Sequence, residues 1–177
     1  MAMLAFPMVT HASFIGQDVN ATYYYPDTST PYPFAEFVPP SFTVGAGVET
    51  VGNVEDVTFI NVDFAANTIS LTFDTVLINP TWNSTSFNGV VFTMAAPHGI
   101  LGATVDGSST FVGFDNSDVT FNANQIFLNW QGLSYVDGTV LNLSFDFKPN
   151  PVPETGTFTA FGIALAGLAF ARSRKRN

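Results

Sequence analysis

Few residues of this 177-residue chain have the types that catalysis needs. Histidine occurs only as His11 and His98, and we expect His11 to be removed with a signal peptide. His98 lies in Ala96-Pro97-His98-Gly99, which is typical of a loop, and no Gly-x-Ser-x-Gly elbow accompanies it. Cysteine is absent, which excludes thiol catalysis and Cys-ligated zinc. We therefore predict a non-enzymatic protein, with a secreted hydrolase using two carboxylates as the less favoured alternative.

The candidate metal ligands are concentrated in one oxygen-rich segment, Asp115-Asn116-Ser117-Asp118. Calcium takes about six to eight oxygen ligands, so Asp115, Asn116 and Asp118 could contribute to a calcium site. The segment lacks the spacing of an EF-hand, and Asp and Asn also favour turns because their side chains bond to the nearby backbone. We favour a turn and keep calcium as the alternative. No other cofactor is expected.

Large aromatic side chains are the candidate carbohydrate contacts. Trp82 lies in the polar segment Pro80-Thr81-Trp82-Asn83-Ser84, so we predict that its ring is exposed and available for stacking on a sugar. Trp130 is in phase with the apolar residues Ile126 and Leu128, which indicates a core position. The triplet Tyr23-Tyr24-Tyr25 could stack on a sugar or cover the edge of a sheet.

Charge is distributed very unevenly along the chain. Residues 13–154 contain all fourteen acidic residues and only one basic residue, Lys148, which gives this segment a formal charge of −13. The other four basic residues follow at Arg172, Arg174, Lys175 and Arg176. A surface of this sign repels phosphate, so nucleic acid is not an expected partner.

The elements that must position these side chains are predicted to be strands. Apolar and polar residues alternate with a period of two, and Asn- and Gly-containing turns separate the runs. The inward-facing residues of the clearest runs are Ile69, Leu71, Phe73, Ile126, Leu128, Leu141, Leu143, Phe145 and Phe147. Residues 13–148 are therefore predicted to form an all-β domain, an antiparallel β-sandwich of jelly-roll or immunoglobulin-like type. Prolines between residues 26 and 40 predict edge strands and loops over residues 13–50.

The two ends differ from this body. Residues 1–12 are apolar and end in Thr10-His11-Ala12, which predicts signal-peptide cleavage before Ser13. The apolar run is short and no basic residue precedes it, so we expect a signal peptide truncated at its start; an ordinary apolar terminus is the alternative. Residues 149–151 are predicted to be a stiff linker. Residues 152–177 comprise the polar motif Val152-Pro153-Glu154-Thr155-Gly156, an uncharged run predicted as a short apolar helix, and the basic cluster, which resembles a membrane stop on the cytoplasmic side.

This three-part tail resembles the PEP-CTERM class of sorting signals. Val152-Pro153-Glu154 matches the start of the family motif, residues 162–171 match its small-residue-rich span, and Arg172-Ser173-Arg174-Lys175-Arg176 matches its basic end. Thr155 stands where the family usually has proline, and the motif is also similar to the sortase signal Leu-Pro-x-Thr-Gly. We favour the PEP-CTERM resemblance because of the span with Gly162 and Gly167.

The PEP-CTERM resemblance implies an exported protein that is held transiently in the inner membrane. An exosortase-type enzyme would process the tail, and the mature protein would reach the cell surface or extracellular matrix, in association with exopolysaccharide and biofilm. A polysaccharide-binding module, assisted or not by calcium, is the alternative function.

Overall fold

A computed structural model describes residues 10–11 and 13–150, which belong to two compact units. The smaller unit contains two short strands, β1 (Thr10–His11) and β13 (Pro149–Asn150), which pair antiparallel. The larger unit is the body of the protein and contains every other strand. The tail motif, the predicted apolar helix and the basic cluster lie outside the described residues, as does most of the predicted signal peptide.

The body is all-β, and its strands form two antiparallel sheets. The strands are β2 (Asp18–Tyr24), β3 (Ala35–Val38), β4 (Ser41–Thr43), β5 (Val48–Val54), β6 (Thr58–Phe64), β7 (Thr68–Thr75), β8 (Gly89–Met94), β9 (Ile100–Val105), β10 (Val119–Phe121), β11 (Gln125–Asn129) and β12 (Thr139–Phe147). The first sheet has the order β10-β11-β8-β2-β4, and the second has the order β3-β5-β6-β7-β12-β9. Within residues 10–11 and 13–150 the only helical turn is a 3-10 helix at Asn116–Asp118, and no helix is long and apolar enough to cross a membrane.

The two sheets pack face to face through the side chains that alternate inward. Leu71 and Leu141 are opposite each other on β7 and β12, and neither side chain is accessible to solvent. Phe64 on β6 meets Phe92 on β8 edge to face, with ring centroids 5.0 Å apart, so this contact joins the two sheets. Burial of apolar surface at about 25 cal/mol per Å² provides the main driving force for this packing. The prediction of an all-β protein with two packed antiparallel sheets is confirmed, and the arrangement is consistent with a β-sandwich.

Residues 13–50 depart in part from their prediction. β3 and β4 are edge strands, as expected for this proline-containing region. β2, however, is an interior strand that pairs with β8 on one side and β4 on the other. Val19, Ala21 and Tyr23 alternate inward along it, and Pro26 lies beyond its end, so the prolines leave this strand uninterrupted.

Candidate functional site

A cavity of ≈ 200 Å³ lies at one end of the body, and five of its fourteen lining residues are aromatic. Its aromatic residues are Tyr23, Tyr25, Tyr32, Trp82 and Tyr135, and its polar residues include Glu55, Thr58, Asn83 and Asn88. Such a combination of ring surfaces and a few fixed polar groups is typical of small-ligand sites. The cavity is therefore the strongest candidate binding site in the described part of the chain.

The turn between β5 and β6 places the only carboxylate of the cavity lining. Glu55 and Asp56 are the two central residues of this tight turn, with φ values of 56° and 57°. Tight turns with positive φ at both central residues usually contain Asn or Gly, because positive φ is unfavourable for other side chains. Such unfavourable backbone conformations are concentrated at functional sites. At this turn the Glu55 carboxylate accepts a hydrogen bond from the Tyr32 hydroxyl.

A buried chain of hydrogen bonds fixes one wall of the cavity. The indole N–H of Trp130 donates to the Tyr23 hydroxyl at 2.9 Å, and that hydroxyl donates to Oδ1 of Asn88 at 2.7 Å. Nδ2 of Asn88 then donates to the backbone carbonyl of Asn83 at 3.2 Å. Because each of these buried groups has a partner, the wall is held in one arrangement before any ligand arrives.

Trp82 forms another part of the lining, and its predicted exposure is wrong. Its side chain is only 8% exposed and stacks on Tyr135, with ring centroids 4.6 Å apart and an interplanar angle of 8°. The polar residues around Trp82 do not expose it, because its backbone N–H donates to the carbonyl of Leu133 and so brings residues 133–135 over the ring. The indole N–H has no hydrogen-bond partner, although it is buried. An unpaired buried donor of this kind costs about 1–3 kcal/mol.

Three tyrosines of the cavity, Tyr23, Tyr32 and Tyr135, are neutral at ordinary pH because their pKa values are raised. Burial raises the pKa of Tyr23 well above its usual value, and burial also raises the pKa of Tyr135. Burial, followed by the hydrogen bond to Glu55, raises the pKa of Tyr32 to about 12. Glu55 is the only carboxylic acid of this lining, and no basic side chain contributes to it.

In the comparison with known proteins, no family model, no curated protein and no solved structure matches the chain. The functional interpretation therefore depends on the residues themselves.

His98 lies in the loop between β8 and β9, as its sequence context predicts, but it is buried. Its Nδ1 accepts a hydrogen bond from the backbone N–H of Ile100 at 3.0 Å, which fixes the neutral ring with the proton on Nε2. Burial lowers the pKa of His98, which also favours the neutral form. His98 therefore has a structural role, because its ring holds the backbone of the loop at Ile100. It is not among the residues that line the aromatic cavity.

The oxygen-rich segment 115–118 forms the turn that we favoured from the sequence. Asp115 caps the short 3-10 helix by accepting from the backbone N–H of Ser117 at 2.7 Å, and Asp118 accepts from the backbone N–H of Asp115 at 2.9 Å. Oδ1 of Asn116 accepts from the backbone N–H of Val105 at 2.7 Å. No group of three acidic or histidine side chains suited to a metal ion occurs in the described ranges. Calcium at Asp115, Asn116 and Asp118 stays an untested prediction.

Several residues of the cavity were not predicted as site residues. These residues are Tyr32, Glu55, Asn88 and Tyr135. A usable signal exists only for Glu55, because a short connection between alternating strands without glycine is unusual. Tyr23 and Tyr25 do line the cavity, as the sugar-stacking interpretation of the tyrosine triplet requires.

Proposed function

We propose that this protein is an exported, non-enzymatic protein of the cell surface or extracellular matrix, sorted and cleaved at its C-terminal signal and associated with exopolysaccharide. The observation that carries the proposal is the three-part tail at residues 152–177, with its motif, uncharged run and basic cluster. Among the described residues, the buried hydrophobic core runs from Phe14 to Phe145, within the body. Within the sandwich class, a jelly-roll or immunoglobulin-like topology and a short apolar tail helix stay predictions.

The sorting proposal predicts that removing residues 152–177 changes where the protein accumulates. In a host that contains an exosortase, the full chain should reach the surface or matrix in a tail-shortened form. The truncated chain should be released without surface retention, because it lacks the membrane stop and the processing motif. Fractionation combined with intact-mass measurement tests both points. If both forms stayed in the cytosol at full mass, the proposal would be wrong.

A second candidate function is polysaccharide binding, and the aromatic cavity favours it. The cavity combines ring surfaces that can stack on a sugar with the exposed side-chain amide of Asn83. A carboxylate-pair hydrolase finds less support at this site, because Glu55 is the only acidic residue among those that line it. This comparison favours binding over hydrolysis for the cavity.

If the protein binds polysaccharide, it should be retained on at least one immobilised polysaccharide. Tyr25→Ala should reduce this retention about tenfold, because one stacking ring contributes on the order of 1 kcal/mol or more to binding. Tyr25 suits the test because it is half-buried and lines the cavity. Tyr24→Ala is the matched control, since Tyr24 is also half-buried but lies outside the lining.

The same assay is repeated in EDTA to test calcium assistance. We expect unchanged retention, because the oxygens of the 115–118 turn already accept backbone hydrogen bonds. Loss of retention in EDTA that is restored by calcium would assign calcium to the binding function. Absence of retention on every polysaccharide would contradict the binding candidate itself.

A further inference from the structure

The charge of the cavity limits which sugars it can accept. Glu55 carries the only charge of the lining, and the surrounding body contains a single basic residue, Lys148, which is outside the cavity. Anionic sugars such as uronic acids would therefore meet a like charge with no cation to compensate it. A ligand with a positive charge would instead gain from the same carboxylate.

A second concave surface adjoins the aromatic cavity and is also acidic. It has a volume of ≈ 550 Å³ and shares Tyr32 and Glu55 with the first cavity. Its other acidic residues are Glu36 and Asp56, both exposed. The two concavities are adjacent because they share Tyr32 and Glu55, and we name them together the tyrosine–glutamate cleft, with an aromatic end and an acidic end.

The hydrogen bonds inside the cleft also distinguish between ligands. The hydroxyls of Tyr23 and Tyr135 are bonded to Asn88 and Thr58, at 2.7 Å in each case, so these two hydroxyls are already engaged before a sugar arrives. What the aromatic end offers a charged ligand is ring surface together with the Glu55 carboxylate. Aromatic rings with a carboxylate suit an ammonium group.

The volume of the aromatic end indicates a small unit. A cavity of ≈ 200 Å³ is below the roughly 300–1,000 Å³ that drug-sized ligands occupy. One sugar ring suits this space, and the acidic end can accompany the neighbouring units of a chain.

We propose that the tyrosine–glutamate cleft binds a polysaccharide that carries free, protonated amino groups, with one amino-sugar ring in the aromatic end and its ammonium group beside Glu55. This inference rests on the polysaccharide-binding function proposed above and names its ligand class. The further amino groups of the chain lie along Glu36 and Asp56.

The test uses three soluble oligosaccharides of equal length: one of glucosamine, one of N-acetylglucosamine and one of glucose. Titration calorimetry of the full chain at mildly acidic pH, where the amino groups of the glucosamine oligomer are mostly protonated, should give binding of this oligomer at least about tenfold tighter than the other two, because only this ligand forms the charge-assisted contact. Glu55→Gln should reduce that affinity about tenfold and remove most of the preference. Asp146→Asn is the control with the same change of charge, since Asp146 is exposed and lines neither concavity.

Each outcome has a distinct meaning. Tighter binding of the acetylated or glucose oligomer, or insensitivity to Glu55→Gln, would overturn the amino-sugar inference and leave polysaccharide binding intact. Binding of none of the three oligomers would overturn the inference. If the protein were also retained on none of the immobilised polysaccharides, the binding function itself would be contradicted.

Oligolysine of similar charge serves as the probe for non-specific attraction, and equal affinity for it would also overturn the inference. Thermal unfolding of both variants shows whether the fold is retained, which we expect because Glu55 and Asp146 are exposed.

Discussion

Replacing Phe73 with alanine is expected to lower the free energy of unfolding by about 3–5 kcal/mol, the range for removing a buried phenylalanine ring. Phe73 on β7 has no solvent-accessible surface. Its ring meets Trp130 edge to face at 5.2 Å and Phe111 at 5.0 Å, and it also contacts Trp82 at 6.5 Å. Removing it leaves a cavity whose rigid aromatic neighbours cannot close over the gap. Chemical denaturation followed by tryptophan fluorescence measures the change.

Phe59→Ala is the matched control for this experiment. Phe59 is on the neighbouring strand β6, opposite Asp74 rather than Phe73, and its side chain is 39% exposed. We expect a smaller loss, about 1–2 kcal/mol, because more than a third of this side chain is already exposed to water. Equal losses for the two variants would show that Phe73 does not occupy the centre of an aromatic core.

The same contacts explain why the strands were predictable. In β7 and β12 every second residue is buried against the opposite sheet, and the residues between them are more exposed. Apolar residues therefore recur with a period of two in the sequence of these strands. The buried sets Ile69, Leu71, Phe73 and Leu141, Leu143, Phe145 are the ones that alternation alone identifies. Alternation reports which face of a strand meets the core, and it therefore also identified Trp130 as a core residue.

The exposure of Trp82 could not be predicted from the residues next to it in the sequence. Its neighbours Thr81, Asn83 and Ser84 are exposed, as their polarity predicts, yet the tryptophan between them is buried. The covering residues come from the segment after β11: Ser134 forms a bridge with Thr81, and Tyr135 stacks on the indole ring. These partners are about fifty residues away in sequence, so no window around Trp82 contains the information that decides its exposure.

The cleft was unpredictable for the same reason. Tyr32, Glu55, Trp82 and Tyr135 come from four separate connections between strands, and each connection alone is consistent with an ordinary turn or loop. Only the pairing of the strands brings these connections to one end of the body. The sequence could therefore supply candidate aromatic residues without showing which of them share a site.

Gly89→Ala is expected to destabilise the body by about 3 kcal/mol or more, as overpacking against backbone in an interior strand can do. Gly89 is the first residue of β8, between Tyr24 on β2 and Asn129 on β11. A Cβ added there would overlap the carbonyl oxygen of Leu128 and lie 3.0 Å from its carbonyl carbon. Because both atoms belong to the backbone of β11, a side-chain rotation cannot relieve the overlap and the two strands must separate.

Gly107→Ala separates this steric effect from the general cost of replacing glycine. Gly107 is in the exposed turn after β9, and a Cβ there meets nothing within 4 Å. We expect a change in the free energy of unfolding within about 0.5 kcal/mol, as for other exposed substitutions.

Gly89→Ala should also weaken glycan retention, because Asn88 precedes Gly89 and the Asn88 side chain belongs to the hydrogen-bonded wall of the cleft. If the Gly89→Ala variant were as stable as the Gly107→Ala variant, β8 and β11 would have to be further apart than in the structure. The hydrogen-bonded wall of the cleft that includes Asn88 would then also be arranged differently.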